Sequence, residues 1–443
     1  MTAEILVQGG TVLTMQPGAA PLPDGAVAVS GDRIAAVGPS EELLQRFPNS
    51  ERLDARGGLI LPGLVNTHTH LAMVLLRGLA DDLPLKTWLE QHIWPAERAV
   101  MDAETVRLGT LWAAAESLLA GVTCVCDMYF HASTVAAAVE RAGIRGVIPE
   151  SLIDLPSPSS TSPDQALEHT RALLETYRDH PLVIPAVAAH APYSVSATNL
   201  VRAAELAEEF NAPLMVHVAE TRWEVEFLTA QKGVSPVAYL ADLGVLSERT
   251  VAAHCVHVSE ADLEILAECE AGVASNPVSN LKLASGVAPL PQMLQRGLKV
   301  GLGTDGAASN NTLDLLRDGQ LASLLYKGVS GDPTCLPART LVELLTLGGA
   351  RVLGVDHLVG SLEPGKRADL VCMAVDAPHA TPMFDPFSHL AYAARASDVR
   401  HVLVNGRVVV RDRMVETLDM EKLAIQILES SVAVQEAVGA ARS

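Results

Sequence analysis

The sequence predicts a (β/α)8 TIM barrel carrying a small β-sandwich domain built from both chain ends. Three observations carry that reading. Short apolar runs recur through the middle of the chain, most of them separated by stretches of helical periodicity. Two β-like clusters stand at the ends, each too small to bury a core alone. Several of the central runs end in a residue able to do chemistry, and the C-terminal ends of strands are where a barrel assembles its active site.

In chain order, ILVQGGTVLTM and GAVAVSGDRIAAVG alternate apolar with small or polar residues, with Gly31-Asp32 as a turn. Eight apolar runs follow, at Leu59–Asn66, Val122–Asp127, Gly146–Glu150, Leu182–His190, Leu214–Ala219, Val251–His257, Gly272–Asn276 and Val300–Thr304. Stretches such as AETVRLGTLWAAAESLLA and SATNLVRAAELAEEF between them have helical texture. A doubly wound open sheet is the alternative, but no G-x-G-x-x-G follows the early strands. The Pro-Ser stretch Leu155–Gln165 after the third run is expected to be an active-site loop or lid. Strand texture returns in RADLVCMAVD and VRHVLVNGRVVVRDR, where Asn405-Gly406 signals a hairpin. The expected division is therefore a catalytic barrel over 58–364 and a composite small β domain from 1–57 and 365–443. The helical LAIQILESSVAVQEAVGA inside that last segment is expected to cover the barrel or the small domain, with a subunit contact as the other role.

Composition narrows the partners. The chain has 443 residues, 49% of them apolar, which excludes a disordered polymer. Its 32 Lys+Arg against 52 Asp+Glu leave a formal charge of −20, with no basic stripe to hold nucleic acid or an anionic membrane. No apolar stretch is long enough to span a bilayer, and MTAEILVQGGTVLTMQPG lacks the basic start of a signal peptide. The 6 cysteines are too sparse for a disulfide scaffold, and Cys124 and Cys126 alternate in an apolar run as core residues do. A cytoplasmic protein acting on a small molecule is expected.

The chemistry begins with GLVNTHTHL. His68 and His70 are two apart, so on a strand they point the same way, as two ligands of one ion must. His217 in PLMVHVAET, His254 in VAAHCVHV and Asp305 in GLGTDGA end the fifth, sixth and eighth runs. Core packing does not collect such residues at strand ends. Imidazole and carboxylate suit a zinc-like divalent ion with a coordination position left for water. Such an ion brings the water's pKa toward neutrality. Asp305 can take a proton while ligating, and Glu220, three residues past His217, can carry one to a substrate.

These motifs resemble the amidohydrolase superfamily over nearly the whole chain. PGLVNTHTH, HVAET, the histidine of VAAHCVH and GTDGAASNN match its markers on strands one, five, six and eight. The resemblance implies that His68, His70, His217 and Asp305 hold one divalent metal ion per subunit, Zn2+ with Fe2+ or Mn2+ as alternatives. It implies that Glu220 shuttles protons and that His254 orients the water or polarises the attacked group. No lysine lies between Lys86 and Lys232, so the fourth strand cannot supply the carbamylated lysine that bridges two metals in binuclear members.

Within that branch, LLRGLADDLPLKTWLEQHIWPAE is similar to the substrate loop of the 5′-methylthioadenosine/S-adenosylhomocysteine deaminases. The likeness implies that Trp88 packs against the nucleoside, Glu97 accepts from the ribose 2′- and 3′-hydroxyls, His190 binds a purine nitrogen, and Ser309 lines the pocket near the metal. A carboxylate suits a vicinal diol because it only accepts hydrogen bonds. The reaction implied is hydrolytic deamination at C6 of adenine, releasing ammonia and the inosine analogue, by a homo-oligomer. The sequence departs from the pattern at one place. After Arg145 the next arginine is Arg171, so the loop after strand three offers no arginine to the carboxylate of S-adenosylhomocysteine. Methylthioadenosine or adenosine-like substrates are therefore favoured. A triazine chlorohydrolase or guanine deaminase-like activity with the same mononuclear site is the alternative.

Overall fold

The computed structural model describes residues 3–441. Eight parallel strands follow one another in sequence order: β1 (Leu64–Thr69), β2 (Val122–Asp127), β3 (Arg145–Leu152), β4 (Val183–Ala189), β5 (Leu214–Val218), β6 (Thr250–His254), β7 (Gly272–Ser275) and β8 (Lys299–Leu302). Every position of β1, β2 and β3 is buried, as expected for parallel strands covered on both faces. The seam between β8 and β1 is joined just past the end of β8. Asp305 N donates to His68 O at 3.0 Å, Thr304 N donates to Asn66 Oδ1 at 3.1 Å, and Asn66 Nδ2 donates to Thr304 Oγ1 at 2.8 Å. A Cβ on Gly303 would stand 2.4 Å from Asn276 Oδ1 and 2.8 Å from His68 O, so only glycine lets the chain pass there.

A separate mixed sheet of nine strands gathers both chain ends. Leu59–Pro62 joins the two contributions, pairing in parallel with Ile5–Val12 and antiparallel with Leu370–Met373. The two expected turns are present. Ser30 pairs with Arg33 across Gly31-Asp32, and Val404 pairs with Arg407 across Asn405-Gly406. Asn405 and Gly406 have φ of 51° and 79°, the pair of positive angles that a two-residue hairpin turn of this kind requires.

One expectation is corrected. The run Leu59–Asn66, read as a single barrel strand, is two strands in two different sheets, parted at Gly63. Continuous hydrophobicity hides the break, because both strands are wholly buried. A Cβ at Gly63 would lie 1.9 Å from Thr123 Oγ1 on β2, so the chain crosses between the sheets where no side chain fits.

The C-terminal helix Met420–Ala441 packs on the barrel-side helices Trp94–Val100 and Ala103–Leu119, burying Leu423, Val434 and Val438. Among the described residues, no helix is long and apolar enough to cross a membrane.

Candidate active site

The C-terminal ends of β1, β5, β6 and β8 bring His68, His70, His217, His254 and Asp305 into one cluster. His68 lies with His217 and His254, and with His70 and Asp305, in two groups whose ligand-type atoms fall within 4.8 Å of one another. Asp305 Oδ1 stands 3.1 Å from His70 Nε2 and 3.5 Å from His68 Nε2. The backbone is bent to achieve this. Ala219, His254 and Asp305, each at or just beyond the end of its strand, have φ of 50°, 74° and 61°, a left-handed conformation that costs any residue with a side chain.

Three of the four histidines are oriented from behind. His70 Nδ1 faces Met128 O at 2.6 Å, His217 Nδ1 faces His190 O at 2.7 Å, and His254 Nδ1 faces Asn280 Oδ1 at 2.8 Å. A ring that donates from Nδ1 keeps the Nε2 lone pair for an ion. Asp305 Oδ2 accepts from Ser279 Oγ at 2.6 Å and Ser309 Oγ at 2.8 Å.

Electrostatics fit a cation in this cluster. Burial works to raise the Asp305 carboxyl, but the rings of His68 and His70 outweigh it and hold the group well below the usual carboxylate range. Burial lowers His68 to about 4. At His70 burial also works downward, yet Asp305 overrides it and raises the ring to about 9. The cluster thus demands a positive charge beside Asp305, which a divalent ion supplies in place of a proton. His68 Nε2 is buried and makes no hydrogen bond among the described residues, as a ring nitrogen reserved for a metal would be.

The remaining expected residues divide. Glu220 is buried on the cavity wall, its Oε2 3.8 Å from His254 Nε2, and burial raises its carboxyl. Trp88, Glu97 and His190 line the same cavity. Tyr129 donates to Glu97 Oε1 at 2.7 Å; burial nevertheless pushes this carboxyl up to about 7. His190 Nδ1 faces Ser194 Oγ at 2.6 Å, and burial followed by the nearby His70 and His68 pushes the ring down to about 3, so it is neutral. Ser309 is different. It lies beneath Asp305 rather than on the cavity wall, because the turn after β8 points its hydroxyl back at Oδ2 and at Gly306 O. Asp127, which also ends a strand, accepts from Leu71 N and so holds the chain just after His70.

Sequence reasoning passed over Tyr129, Ser279, Asn280 and Glu224. The only signal for the first three was position, since they follow apolar strands within a few residues, as the named residues do.

This inner cavity is narrow. Leu85, Leu89, Trp94, Tyr193 and Leu283 line both it and a wide outer cavity of about 1090 Å³. Three of the five sit on a helical segment from Leu85 to Val100 broken by a π-turn at Leu89–Ile93, a feature frequent at functional sites. The Pro-Ser loop contributes only Leu155 to the outer cavity, while Ser159 Oγ donates to buried Glu150 and ties the loop down.

Residues 59–409 match the amidohydrolase family. The chain belongs to the amidohydrolase family. A shorter segment, 25–49, matches the imidazolonepropionase-like composite domain of bacteria. Relatives named 5-methylthioadenosine/S-adenosylhomocysteine deaminase include one from Syntrophobacter fumaroxidans, 45% identical over 95% of this chain and 96% of the relative. Another, from Syntrophus aciditrophicus, is 43% identical over 98% of each. Among solved structures, an adenosine deaminase from Xanthomonas campestris with bound zinc superposes with a TM-score of 0.96. It is 39% identical, over 98% of this chain and 99% of that one. An atrazine chlorohydrolase from Arthrobacter aurescens complexed with zinc gives a TM-score of 0.90 at 25% identity, over 96% and 100% of the two chains. With likeness at this level over full length, this amidohydrolase is a metal-dependent deaminase.

Proposed function

We propose that this amidohydrolase removes the C6 amine from the adenine of 5′-methylthioadenosine and related nucleosides: water adds at C6, ammonia leaves, and the inosine analogue remains. The observation that carries the reading is the gathering around His68 of His217 and His254 on one side and His70 and Asp305 on the other, beside a cavity that also holds Glu220 and Glu97. The names of the full-length relatives supply the substrate class.

His68, His70, His217 and Asp305 would hold one divalent ion per subunit, Zn2+, with Fe2+ and Mn2+ compatible with the same donors. Such an ion activates water and stabilises developing negative charge. Asp305, with its far oxygen tied by two serines, accepts the attacking water's proton. Glu220 protonates the ring nitrogen beside C6 and then takes the proton that the new C6 hydroxyl loses in becoming the carbonyl, while Asp305 passes the water's proton to the departing amine; the raised pKa of Glu220 suits a group that must both hold and release a proton. His254, fixed by Asn280, orients the water. Trp88 packs on the nucleoside, Glu97 accepts from the ribose diol, and His190 bonds a purine nitrogen through the ring edge not facing Ser194. We assign Ser309 the task of fixing Asp305 rather than touching substrate.

Methylthioadenosine is preferred to S-adenosylhomocysteine. The loop after β3 carries no arginine, the lysines of the outer cavity lie over rings, Lys86 4.6 Å above Trp223 and Lys232 5.1 Å above Tyr239, and the arginine on the wall of that cavity, Arg222, is exposed. A charge-assisted hydrogen bond is worth about 1.5–3 kcal/mol and an exposed ion pair about 0–1 kcal/mol, so a carboxylate left to the exposed Arg222 loses roughly 10-fold in kcat/KM. The test is ammonia release from methylthioadenosine, S-adenosylhomocysteine, adenosine, guanine and a triazine, with metal content measured on the same sample. Equal kcat/KM for the first two refutes the preference; turnover of the triazine or guanine alone refutes the nucleoside reading. The same proposal includes a homo-oligomer, which light scattering of the purified protein checks.

A further inference from the structure

Glu224 lies outside the substrate cavity, in the first turn of the helix Arg222–Lys232, and is 1% exposed. Its carboxylate folds back against the chain: Oε1 accepts from Ala219 N and Oε2 from Glu220 N, both at 2.9 Å. The carbonyl of Ala219 in turn accepts from Val256 N at 3.1 Å and His257 N at 2.9 Å, beyond the end of the neighbouring strand β6. The peptide group linking Ala219 to Glu220 is therefore held on both of its polar sides. It needs holding, because Ala219 sits at φ 50°, a conformation an alanine leaves when free to do so. Glu224 occupies a costly place: burial works to raise its carboxyl, while the backbone amides of Ala219, Glu220 and Thr221 favour the ionised form.

We propose that Glu224 is a positioning residue for the deamination, setting where the Glu220 carboxyl stands by gripping the backbone that carries it. The inference rests on Glu220 as the proton carrier. Two N–H groups face two carboxylate oxygens, an arrangement that an amide cannot reproduce, since its NH2 would meet one of the donors. Releasing the grip lets the peptide turn and moves Glu220 relative to the substrate, and a displacement of about 1 Å costs up to roughly 10²-fold in rate.

The experiment compares metal-loaded wild type with Glu224→Gln, Glu220→Gln and the double variant, measuring kcat, KM and bound metal. Glu224→Gln is expected to lower kcat by roughly 10- to 10²-fold with KM and metal content near wild type. The double variant is expected to be no slower than Glu220→Gln, because both changes remove one function. Glu224→Asp, which keeps the charge but shortens the reach, is expected to fall between wild type and Gln; it serves alone if the Gln variant does not fold. A kcat within about 2-fold of wild type in Glu224→Gln, or in Glu224→Asp where the Gln variant does not fold, overturns the proposal, as do losses that multiply in the double variant. Metal loss in step with kcat overturns it as well, by making Glu224 a prop of the metal site. Normal turnover in Glu220→Gln removes the proton carrier and this proposal together, whereas a slow Glu220→Gln beside a fast Glu224→Gln removes this proposal alone.

Discussion

Glu97 shows how one buried contact sets the behaviour of a site. Removed from water it is raised to about 7, and the Tyr129 hydroxyl, which favours the ionised form, works against that rise. Above this value the group is a carboxylate able to accept from a diol; below it the added proton turns one acceptor into a donor. KM for methylthioadenosine is therefore expected to rise as pH falls through about 7, while a 2′,3′-dideoxy analogue shows no such limb. Tyr129→Phe removes a donor to the charged form and moves the limb to higher pH. A pH series of KM for both compounds, in wild type and variant, checks this. Glu97 was visible in the sequence through the motif around it, whereas Tyr129 was not. The two are 32 positions apart and meet only because β2 stands beside β1. Ser309 is a different case. Its nearness to the histidine and aspartate cluster was legible from GTDGAASNN, but the direction of its hydroxyl depends on the turn after β8.

At the scale of elements, the end of a strand is the unit that carries function here. Apolar periodicity reports where a strand lies, and the first polar residue after it reports where the strand opens into the cavity. That is why seven of the eight apolar runs coincide with a strand to within a few residues at each end, while Leu59–Asn66 had to be divided. Nothing local distinguishes a strand that crosses between sheets from one that continues, since hydrophobicity is unbroken on both sides of Gly63. The distinguishing fact is the side chain of Thr123 on another strand. Gly63→Ala is accordingly expected to destabilise the protein by about 1–3 kcal/mol, the usual range for overpacking, with kcat of the folded enzyme retained. Urea unfolding beside a steady-state assay measures both.

Across the whole molecule, the two sheets are bolted together by a buried ion pair. Arg145, at the start of β3, donates from Nε and Nη2 to the two oxygens of Asp369 at 2.8 and 2.9 Å, with both side chains 1% exposed. Asp369 precedes Leu370–Met373, the strand by which the returning chain joins the second sheet, and it also accepts from Asn405 N at 2.7 Å. Removing one partner of such a pair strands a buried charge, so Asp369→Ala is expected to cost about 3–5 kcal/mol in urea unfolding. The metal content of the folded fraction should stay unchanged, because this junction lies at the opposite end of β3 from the catalytic mouth.

By itself the sequence determined the barrel class, the composite second sheet and which polar residues gather at the strand ends. Period-two and helical hydrophobic patterns, and polar residues closing apolar strands, are written within short stretches of chain. Only the tertiary structure decided how the first and last strands meet, through Asn66 and Thr304 at a separation of 238 residues. It also decided where the chain leaves one sheet for the other, and which buried groups aim the ligands and the proton carrier. Those depend on distances between residues far apart in sequence, which exist only once the barrel has closed.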